Sequence, residues 1–420
     1  MTLTNSSYGE FSLDLHHRIG DTRAPMEVSL EVTRRCPLEC QHCYNNLPMG
    51  DLAARNRELS KEEYYALLDE LAEMGTLWVL FTGGEIFARK DFLEIYAHAK
   101  LKGFLITLFT NGILINEKIA DYLREYPPFG IEITLYGRTK ETYEALTAMP
   151  GSYDRCLRGI RLLRERGLPL KLKTVGTKIN KHEVEQMRRF AEEELGVEFK
   201  LDSLINPRID CSRAPLGVRL SPEEVVVLDF QWQKVADEHR KVLQSELASS
   251  VNPPDTVYQC GGGVHGFAVD PYGRMSICVL SHREAYDIRK GSVREGWEKF
   301  LLEVRLRKRS RPSKCSACRI RSVCSMCPAN GELENGHPES PVDFLCEVAH
   351  LRALVLGFSI PEHGDCELCT EAGRTQLLER AQQILAGGID LSATTAPAML
   401  PVLNNLSAGS TGCGGCTIGV

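Results

Sequence analysis

The residues of this chain whose type and spacing could do chemistry are its 16 cysteines. Three of them, Cys36, Cys40 and Cys43, form a Cys-x3-Cys-x2-Cys loop directly after the first predicted strand. Three thiolates on so short a loop cannot close a four-ligand zinc site by themselves, so zinc would need a distant fourth ligand. They suit a cubane iron–sulfur cluster, in which each thiolate binds one iron and the fourth iron stays open.

Polar and glycine-rich motifs follow the next strands. Gly83-Gly84-Glu85 ends the second predicted strand, and Thr110-Asn111-Gly112 ends the third. Two glycines let the backbone come close to a ligand, and the adjacent carboxylate can pair with a ligand ammonium. Later strand ends carry residues that are either ordinary polar residues or contacts to a ribose or carboxylate: Thr134, Lys173 and Thr177.

A second, dense cysteine group lies beyond residue 255. Its seven members exceed what one four-ligand site can use, so either two sites exist or some cysteines are spare. CxxC pairs also suit tetrahedral zinc, which leaves a zinc-ribbon site open. The group consists of Cys260, Cys278, Cys315, Cys318, Cys324, Cys327 and Cys346.

The remaining cysteines are isolated or in late pairs. We expect Cys156, in a predicted helix, and Cys211, in a polar connection, to be small buried or semi-buried side chains. For the pairs Cys366/Cys369 and Cys413/Cys416 we expect exposed thiols without a dedicated role. The alternatives are electron shuttling, cluster loading and mimicry of a substrate peptide.

Six β-rich runs between residues 27 and 205 alternate with helical patterns. One helix opens with a capping box of Ser60 and Glu63. The alternation predicts an α/β fold with a parallel sheet, here a partial (β/α)6 barrel whose active site lies at the carboxyl ends of the strands. Ser221-Pro222 starts a further helix that we expect to run to about residue 245.

Five segments follow from these patterns. They are an N-terminal segment (1–24), the barrel (25–220), a bridging helix and linker (221–254), a small cysteine-rich α+β module (255–355), and a C-terminal extension with two CxxC pairs and a flexible tail (356–420).

Composition limits the possible partners and compartment. With 420 residues, 43% hydrophobic and 25% charged, the chain is an ordinary globular protein. A net charge of -6 gives no reason to expect nucleic acid. We also find no apolar run of the ~20 residues that a membrane helix needs, and no signal-peptide core. We therefore predict a cytoplasmic protein that contacts neither nucleic acid nor membrane, and whose cysteines bind metal or do redox chemistry.

The CxxxCxxC loop and the motifs at the following strand ends resemble the radical S-adenosylmethionine superfamily over roughly residues 25 to 205. The resemblance implies a [4Fe-4S] cluster on the three loop cysteines, with S-adenosylmethionine chelated to its open iron. Gly83, Gly84 and Glu85 would contact the methionine amino group. His42 stands where the family usually has a large aromatic residue near adenine, with Tyr44 just beyond it. Asn111 joins these predicted cofactor contacts.

Residues 255–350 resemble the SPASM extension of such enzymes, which carries one or two auxiliary [4Fe-4S] clusters. The resemblance implies one fully ligated cluster on Cys315, Cys318, Cys324 and Cys346. A second cluster would use Cys260, Cys278 and Cys327, and lacks a fourth cysteine. Its open iron would take His265, water or a substrate sulfur.

Enzymes of this architecture mostly modify peptides, so the resemblance implies a maturase that forms a carbon–sulfur or carbon–carbon crosslink in a ribosomally made peptide. Val279 stands where sulfatase-maturing members have an acidic base, which speaks against that reaction. Cys36 comes too early for an N-terminal leader-binding domain, so a leader would need a separate binding protein or none. The electron donor would be a flavodoxin or a ferredoxin. Alternatives are tetrapyrrole side-chain chemistry of the haem or haem d1 type and a non-catalytic iron–sulfur or zinc scaffold.

Overall fold

The computed structural model describes residues 8–19, 22–249, 255–281 and 283–387. The chain divides into two compact units. The sheet unit consists of Ala24–Arg219 and His265–Arg305. The helical unit consists of Leu220–Val264 and of the described residues before position 24 and after position 305. The predicted flexible tail and the pair Cys413/Cys416 lie outside the described residues.

The sheet unit is built on one nine-stranded sheet in the order β9-β8-β7-β1-β2-β3-β4-β5-β6. Its strands are β1 (Glu27–Thr33), β2 (Trp78–Gly83), β3 (Leu105–Thr110), β4 (Gly130–Thr134), β5 (Leu170–Val175), β6 (Phe199–Asp202), β7 (Gly266–Val269), β8 (Arg274–Ser276) and β9 (Tyr286–Asp287). A separate two-stranded pair joins Arg35–Cys36 to Leu47–Pro48.

Strands β1 to β6 are parallel and neighbour one another in chain order, which confirms the α/β class and the six alternations of the partial barrel. Leu30, Ile106 and Ile133 are fully buried, as expected where helices cover a parallel sheet. The sheet also continues on the other side of β1. Strand β7 pairs parallel with β1, and β8 and β9 follow as antiparallel strands, so residues 266–287 of the predicted cysteine-rich module belong to this sheet.

The helices of the sheet unit connect the strands. The capping box of Ser60 and Glu63 opens α3, which confirms that prediction. Cys156 is fully buried in α7, also as predicted. The helices are α2 (Leu52–Arg57), α3 (Lys61–Glu73), α4 (Phe92–Leu101), α5 (Glu117–Glu125), α6 (Lys140–Thr147), α7 (Ser152–Glu165), α8 (Val184–Arg189) and α11 (Val293–Glu295), with π-helical turns at Phe190–Glu194 and Gly296–Leu301.

Cys211 is exposed, so the prediction of a buried or semi-buried side chain is wrong for this residue. It lies in the turn after β6 with a left-handed backbone (φ 65°), and its N–H donates to the carbonyl of Arg208. The turn projects the side chain into solvent, away from the apolar contacts that would bury it.

The helical unit packs four long helices around an apolar core. Phe230, Leu351 and Leu377 belong to that core, and the buried pair Arg352–Asp229 (Nη2 to Oδ2, 2.6 Å) ties α14 to α9. Its helices are α1 (Tyr8–Ile19), α9 (Pro222–Phe230), α10 (Gln233–Ala248), α13 (Pro328–Asn335), α14 (Asp343–Val355) and α15 (Glu371–Ala386), while α12 (Leu302–Leu306) ends where this part of the unit begins.

The helix predicted from Ser221 to about residue 245 is two helices. Ser221 and Glu224 form a capping box at the start of α9, as the sequence indicates. The helix ends at Phe230 because Trp232 adopts an extended backbone (φ -113°, ψ 116°), and α10 then begins at Gln233.

Candidate functional site

The cysteine loop of the sheet unit lies between β1 and α2 and is held by backbone hydrogen bonds to α6. The N–H groups of Glu39 and Gln41 donate to the carbonyls of Thr147 and Leu146 at the end of that helix. Cys36 itself is in the short strand that pairs with Leu47–Pro48. The loop is therefore fixed at both ends and in the middle, which restricts the positions of its three thiols.

Cys36, Cys40 and Cys43 line one cavity of about 790 Å³ in the sheet unit. The ends of β2 to β5 and the segment after β6 supply the other walls, as expected for a site at the carboxyl ends of parallel strands. Six of the nine predicted cofactor contacts line the cavity: His42, Tyr44, Gly83, Gly84, Asn111 and Thr134.

The three thiols influence one another. Burial is the main cause that raises the pKa of Cys36, Cys40 and Cys43, and the neighbouring thiolate charges raise the pKa values of Cys36 and Cys40 further. Thiols in this state are protonated near neutral pH, and a bound metal would displace their protons. Asn111 Nδ2 and the Leu38 N–H each donate to Cys36 Sγ over 3.4 Å, an arrangement that favours the charged, ligating sulfur.

Two glycines bring the end of β2 against the cysteine loop. A Cβ atom on Gly83 would lie 2.1 Å from the Thr33 carbonyl oxygen, and one on Gly84 would lie 2.4 Å from that of Arg34. Gly83 also has a φ of +134°, which residues with a side chain rarely adopt. Because these two glycines lack side chains, their backbone forms part of the cavity wall beside the thiols and leaves space for a ligand in the cavity. The convergent thiols and this wall fit an iron–sulfur cluster with a chelated ligand.

Glu85 does not line the cavity. Its buried carboxylate accepts hydrogen bonds from Thr110 Oγ1 (2.8 and 2.9 Å), the Asn111 N–H (2.8 Å) and the Phe87 N–H (3.1 Å). Burial raises its pKa to about 7, against the opposing effect of these donors. The carboxylate thus joins the end of β2 to the end of β3, and its contact with a ligand ammonium stays a prediction.

Lys173 and Thr177 are likewise outside the cavity wall. Lys173 Nζ lies 3.0 Å from the centre of the Phe109 ring and 3.7 Å from Glu132 Oε2, and burial lowers its pKa to about 7. Thr177 Oγ1 donates to Asn180 Oδ1 within a local turn. Their contacts with a ligand stay predictions.

Tyr136 and Asn206 are among the cavity residues that fall outside the sequence predictions. The ring of Tyr136 packs 5.1 Å from that of His42, and Asn206 follows β6. Tyr136 lies two residues beyond Thr134 at the end of β4, so the rule of polar groups at strand ends could have found it. Asn206 carries no motif and is located by the fold alone.

Arg208, also unpredicted, clamps the cysteine loop. Its Nη1 donates to the Cys43 carbonyl (3.2 Å) and to Asn46 Oδ1 (2.7 Å), and its Nη2 donates to the Asn46 carbonyl (2.7 Å). The Ile209 N–H adds a bond to the Tyr44 carbonyl. The segment after β6 therefore fixes the position of the third thiol.

Replacing Arg208 with methionine should loosen this loop. Three hydrogen bonds from a charged group are lost, which we expect to cost about 1–3 kcal/mol and to lower iron retention through gel filtration. Arg213→Met, an exposed arginine of the same connection, is the matched control. Equal iron content in both variants after the same purification would contradict a clamping role.

A second cavity, of about 1140 Å³, lies in the helical unit. Six of the seven cysteines of the dense group line it: Cys260, Cys315, Cys318, Cys324, Cys327 and Cys346. The seventh, Cys278, follows β8 in the sheet unit, and its carbonyl accepts from the Ser281 N–H. His265, the predicted alternative ligand, also belongs to the sheet unit. The division of these cysteines into two clusters stays a prediction.

In the second cavity, burial disfavours the thiolate forms of the cysteines, and two basic side chains oppose this effect. Burial raises the pKa of Cys318 and of Cys346 to about 12, whereas Arg309 and Lys314 act in the opposite direction on the pKa of Cys315. Both basic residues line the cavity. The thiols supply the sulfur ligands that an auxiliary iron–sulfur cluster needs, and the basic side chains offset the negative charge of the thiolates.

Cys366 and Cys369 are buried, so the expectation of exposed thiols is wrong for this pair. They pack in an apolar cluster with Ile320, Ala349 and Ile360. Among the helices of the described residues, none is long and apolar enough to cross a membrane.

Comparison with known proteins finds one matching family model and relatives of two functional classes. Residues 30–191 match the Radical SAM superfamily. An AdoMet-dependent heme synthase of Methanosarcina barkeri is 26% identical over 343 residues, which cover 76% of this chain and 95% of that protein. A PqqA peptide cyclase of Granulibacter bethesdensis is 33% identical over 168 residues, but the match covers 40% of this chain and 43% of the cyclase.

Among solved structures, SuiB of Streptococcus suis, bound to precursor peptide SuiA, has a similar fold. The TM-score is 0.57 at 15% identity, and the match covers 80% of this chain and 79% of SuiB. At this identity the similarity concerns the fold alone.

Proposed function

The chain is a radical S-adenosylmethionine superfamily enzyme, and from this premise we propose that it modifies a ribosomally synthesised peptide through a radical crosslinking reaction. The observation that carries the proposal is the cavity of the sheet unit, where Cys36, Cys40 and Cys43 meet the Gly83–Gly84 backbone at the strand ends. Its cofactors are a [4Fe-4S] cluster and S-adenosylmethionine, and the cysteine-rich part of the chain fits auxiliary clusters.

The three loop cysteines would hold the first cluster. When bound, this cluster supplies the electron that cleaves S-adenosylmethionine to methionine and a 5'-deoxyadenosyl radical, which abstracts hydrogen from the substrate. The chain's own residues orient the reactants. Asn111 supports the Cys36 sulfur, and the Gly83–Gly84 wall admits the cofactor close to the backbone. The rings of His42 and Tyr136 pack against each other in the cavity wall, where they would limit the access of water.

Peptide modification is supported by two of the relatives. One segment of 168 residues is 33% identical to a PqqA peptide cyclase. The fold similarity to SuiB, a protein solved with a precursor peptide, extends over 80% of this chain. Together they favour a peptide substrate and a carbon–carbon or carbon–sulfur crosslink as the product.

The proposal is tested by incubating the reduced, cluster-loaded enzyme with S-adenosylmethionine and each small peptide encoded beside its gene. We expect one peptide to lose two hydrogen atoms for each 5'-deoxyadenosine released, as mass spectrometry would detect. One hydrogen atom moves to the 5'-deoxyadenosyl radical, and the other leaves as a proton and an electron that an auxiliary cluster would accept. The Cys40→Ser variant is the negative control. Unchanged masses for every such peptide would contradict peptide modification.

A second candidate is tetrapyrrole side-chain chemistry. It is favoured by the heme synthase of Methanosarcina barkeri, which matches this chain over 95% of its own length. The same assay with an iron porphyrin that carries propionate side chains separates the two functions. Loss of carboxyl groups from the porphyrin, with no change in any peptide, would replace the first proposal by the second.

The electron donor that we propose is a flavodoxin or a ferredoxin. None of the described cysteines forms a disulfide, and unbridged thiols are typical of the cytoplasm, where we place the reaction.

A further inference from the structure

Four side chains of the helical unit that neither the radical site nor the predicted auxiliary clusters use converge on one point. The potential ligand atoms of His350, His363, Cys366 and Cys369 all lie within 4.8 Å of one another. The four residues are almost inaccessible, at 2%, 6%, 4% and 3% exposure. We propose that they bind a single structural zinc ion.

The distances between nitrogen and sulfur match a tetrahedral site. Cys369 Sγ lies 3.4 Å from His350 Nε2 and 3.5 Å from His363 Nδ1, and Cys366 Sγ lies 3.6 Å from His350 Nε2. A tetrahedral zinc ion with Zn–S bonds of about 2.3 Å and Zn–N bonds of about 2.0–2.1 Å separates such ligands by about 3.6 Å. These three distances fit ligands around one ion, and the other pairs of the four atoms lie within 4.8 Å of one another.

The neighbouring groups orient the ligands as in known zinc sites. His350 Nδ1 lies 2.7 Å from the Cys346 carbonyl oxygen, and donation to this oxygen leaves the lone pair of Nε2 directed at the sulfurs. His363 Nδ1 lies 3.0 Å from the Pro361 carbonyl and 3.5 Å from Cys369 Sγ, so zinc would replace the proton on that nitrogen.

The charge balance of the site and its four protein ligands favour zinc over an iron–sulfur cluster. Two thiolates and two neutral imidazoles balance Zn²⁺, so the buried site carries no net charge. All four positions are protein ligands, which is the arrangement of structural zinc sites and leaves no open position for catalysis. In a Rieske cluster the histidines bind one iron and the cysteines the other, so nitrogen and sulfur would lie on opposite sides of the cluster. The short distances here exclude that arrangement.

The ion would connect two helices. His350 lies on α14, one turn after Cys346, and Cys369 immediately precedes Thr370, the residue that caps α15. Zinc would thus close the connection between these helices. The site makes the C-terminal extension part of the folded helical unit.

The first test uses the unmodified holoenzyme purified from zinc-supplemented cells. We expect about one zinc per chain beside its iron, and a zinc X-ray absorption spectrum with two sulfur and two nitrogen neighbours. Iron-loaded enzyme without zinc, a shell of four sulfurs, or a Cys366–Cys369 disulfide detected by mass spectrometry would each overturn the proposal.

The second test is the variant Cys369→Ser. Cys369 is the ligand that does not line the second cavity, so its loss should spare the iron. Zinc content should fall at least ~10-fold with iron unchanged, while Cys211→Ser, an exposed thiol, keeps both. Zinc retained in Cys369→Ser would refute the site. If this variant does not fold, the zinc X-ray absorption spectrum of the wild-type holoenzyme still tests whether two sulfur and two nitrogen atoms bind the ion.

Discussion

Serine in place of Cys40 is expected to abolish cleavage of S-adenosylmethionine, with at least a ~1,000-fold loss of 5'-deoxyadenosine formation. Cys40 is a buried thiol and one of three that line the same cavity, and a cluster held by two thiolates has lost one of its three anchors. Iron should fall by about four atoms per chain relative to the wild-type enzyme, because a four-iron cluster is lost as a unit.

The measurements are the iron content, the electron paramagnetic resonance signal of the reduced enzyme, and chromatography of the nucleoside product. Cys211→Ser controls for the loss of a thiol elsewhere in the sheet unit, since this side chain is exposed. Cys156→Ser controls for a buried thiol, because Cys156 packs in α7 outside the cavity. A Cys40→Ser enzyme that kept its iron and its nucleoside product would show that this thiol holds no cluster.

An alanine at Gly83 should have the second largest effect. The new Cβ would lie 2.1 Å from the Thr33 carbonyl oxygen, and a φ of +134° is strained for any residue with a side chain. Because the obstacle is backbone, β1 and β2 must separate, and we expect a loss of about 2–5 kcal/mol in the free energy of unfolding. The affinity for S-adenosylmethionine should fall at least ~10-fold, since this backbone forms the cavity wall.

Gly50→Ala is the matched control, because a Cβ there meets no atom within 4 Å and should change stability by less than about 0.5 kcal/mol. Thermal unfolding and equilibrium dialysis with labelled S-adenosylmethionine measure the two effects separately. Wild-type stability and affinity in Gly83→Ala would mean that β1 and β2 do not approach as closely as the structure has them.

Local patterns were enough to predict much of the sheet unit. The period of apolar residues predicted β1 to β6 in their correct order, because consecutive βα units place neighbouring strands side by side. The capping boxes at Ser60 and Ser221 predicted the starts of α3 and α9, since a cap depends on residues three positions apart. Motifs at strand ends converge for the same reason, so six of the nine predicted contacts share a cavity with the three loop cysteines.

Interactions between residues distant in the chain needed the tertiary structure. No local pattern indicates that β7 pairs with β1 or that Arg208 holds the carbonyl of Cys43. The sequence also could not predict the hydrogen-bond partners of Glu85. A Gly-Gly-Glu motif is the same whether its carboxylate contacts a ligand or a neighbouring strand end.

The cysteines show most clearly which features local sequence predicts and which depend on tertiary packing. The sequence by itself determined that Cys36, Cys40 and Cys43 act together, because three residues within eight consecutive positions of one loop cannot separate far. It could not assign a role to Cys366 and Cys369. The two histidines that we propose as their partners, His350 and His363, are separated by twelve residues and form no recognisable motif. Only the packing of α14 against the segment before α15 brings the two imidazoles to the two thiols, and that packing depends on the whole apolar core of the helical unit.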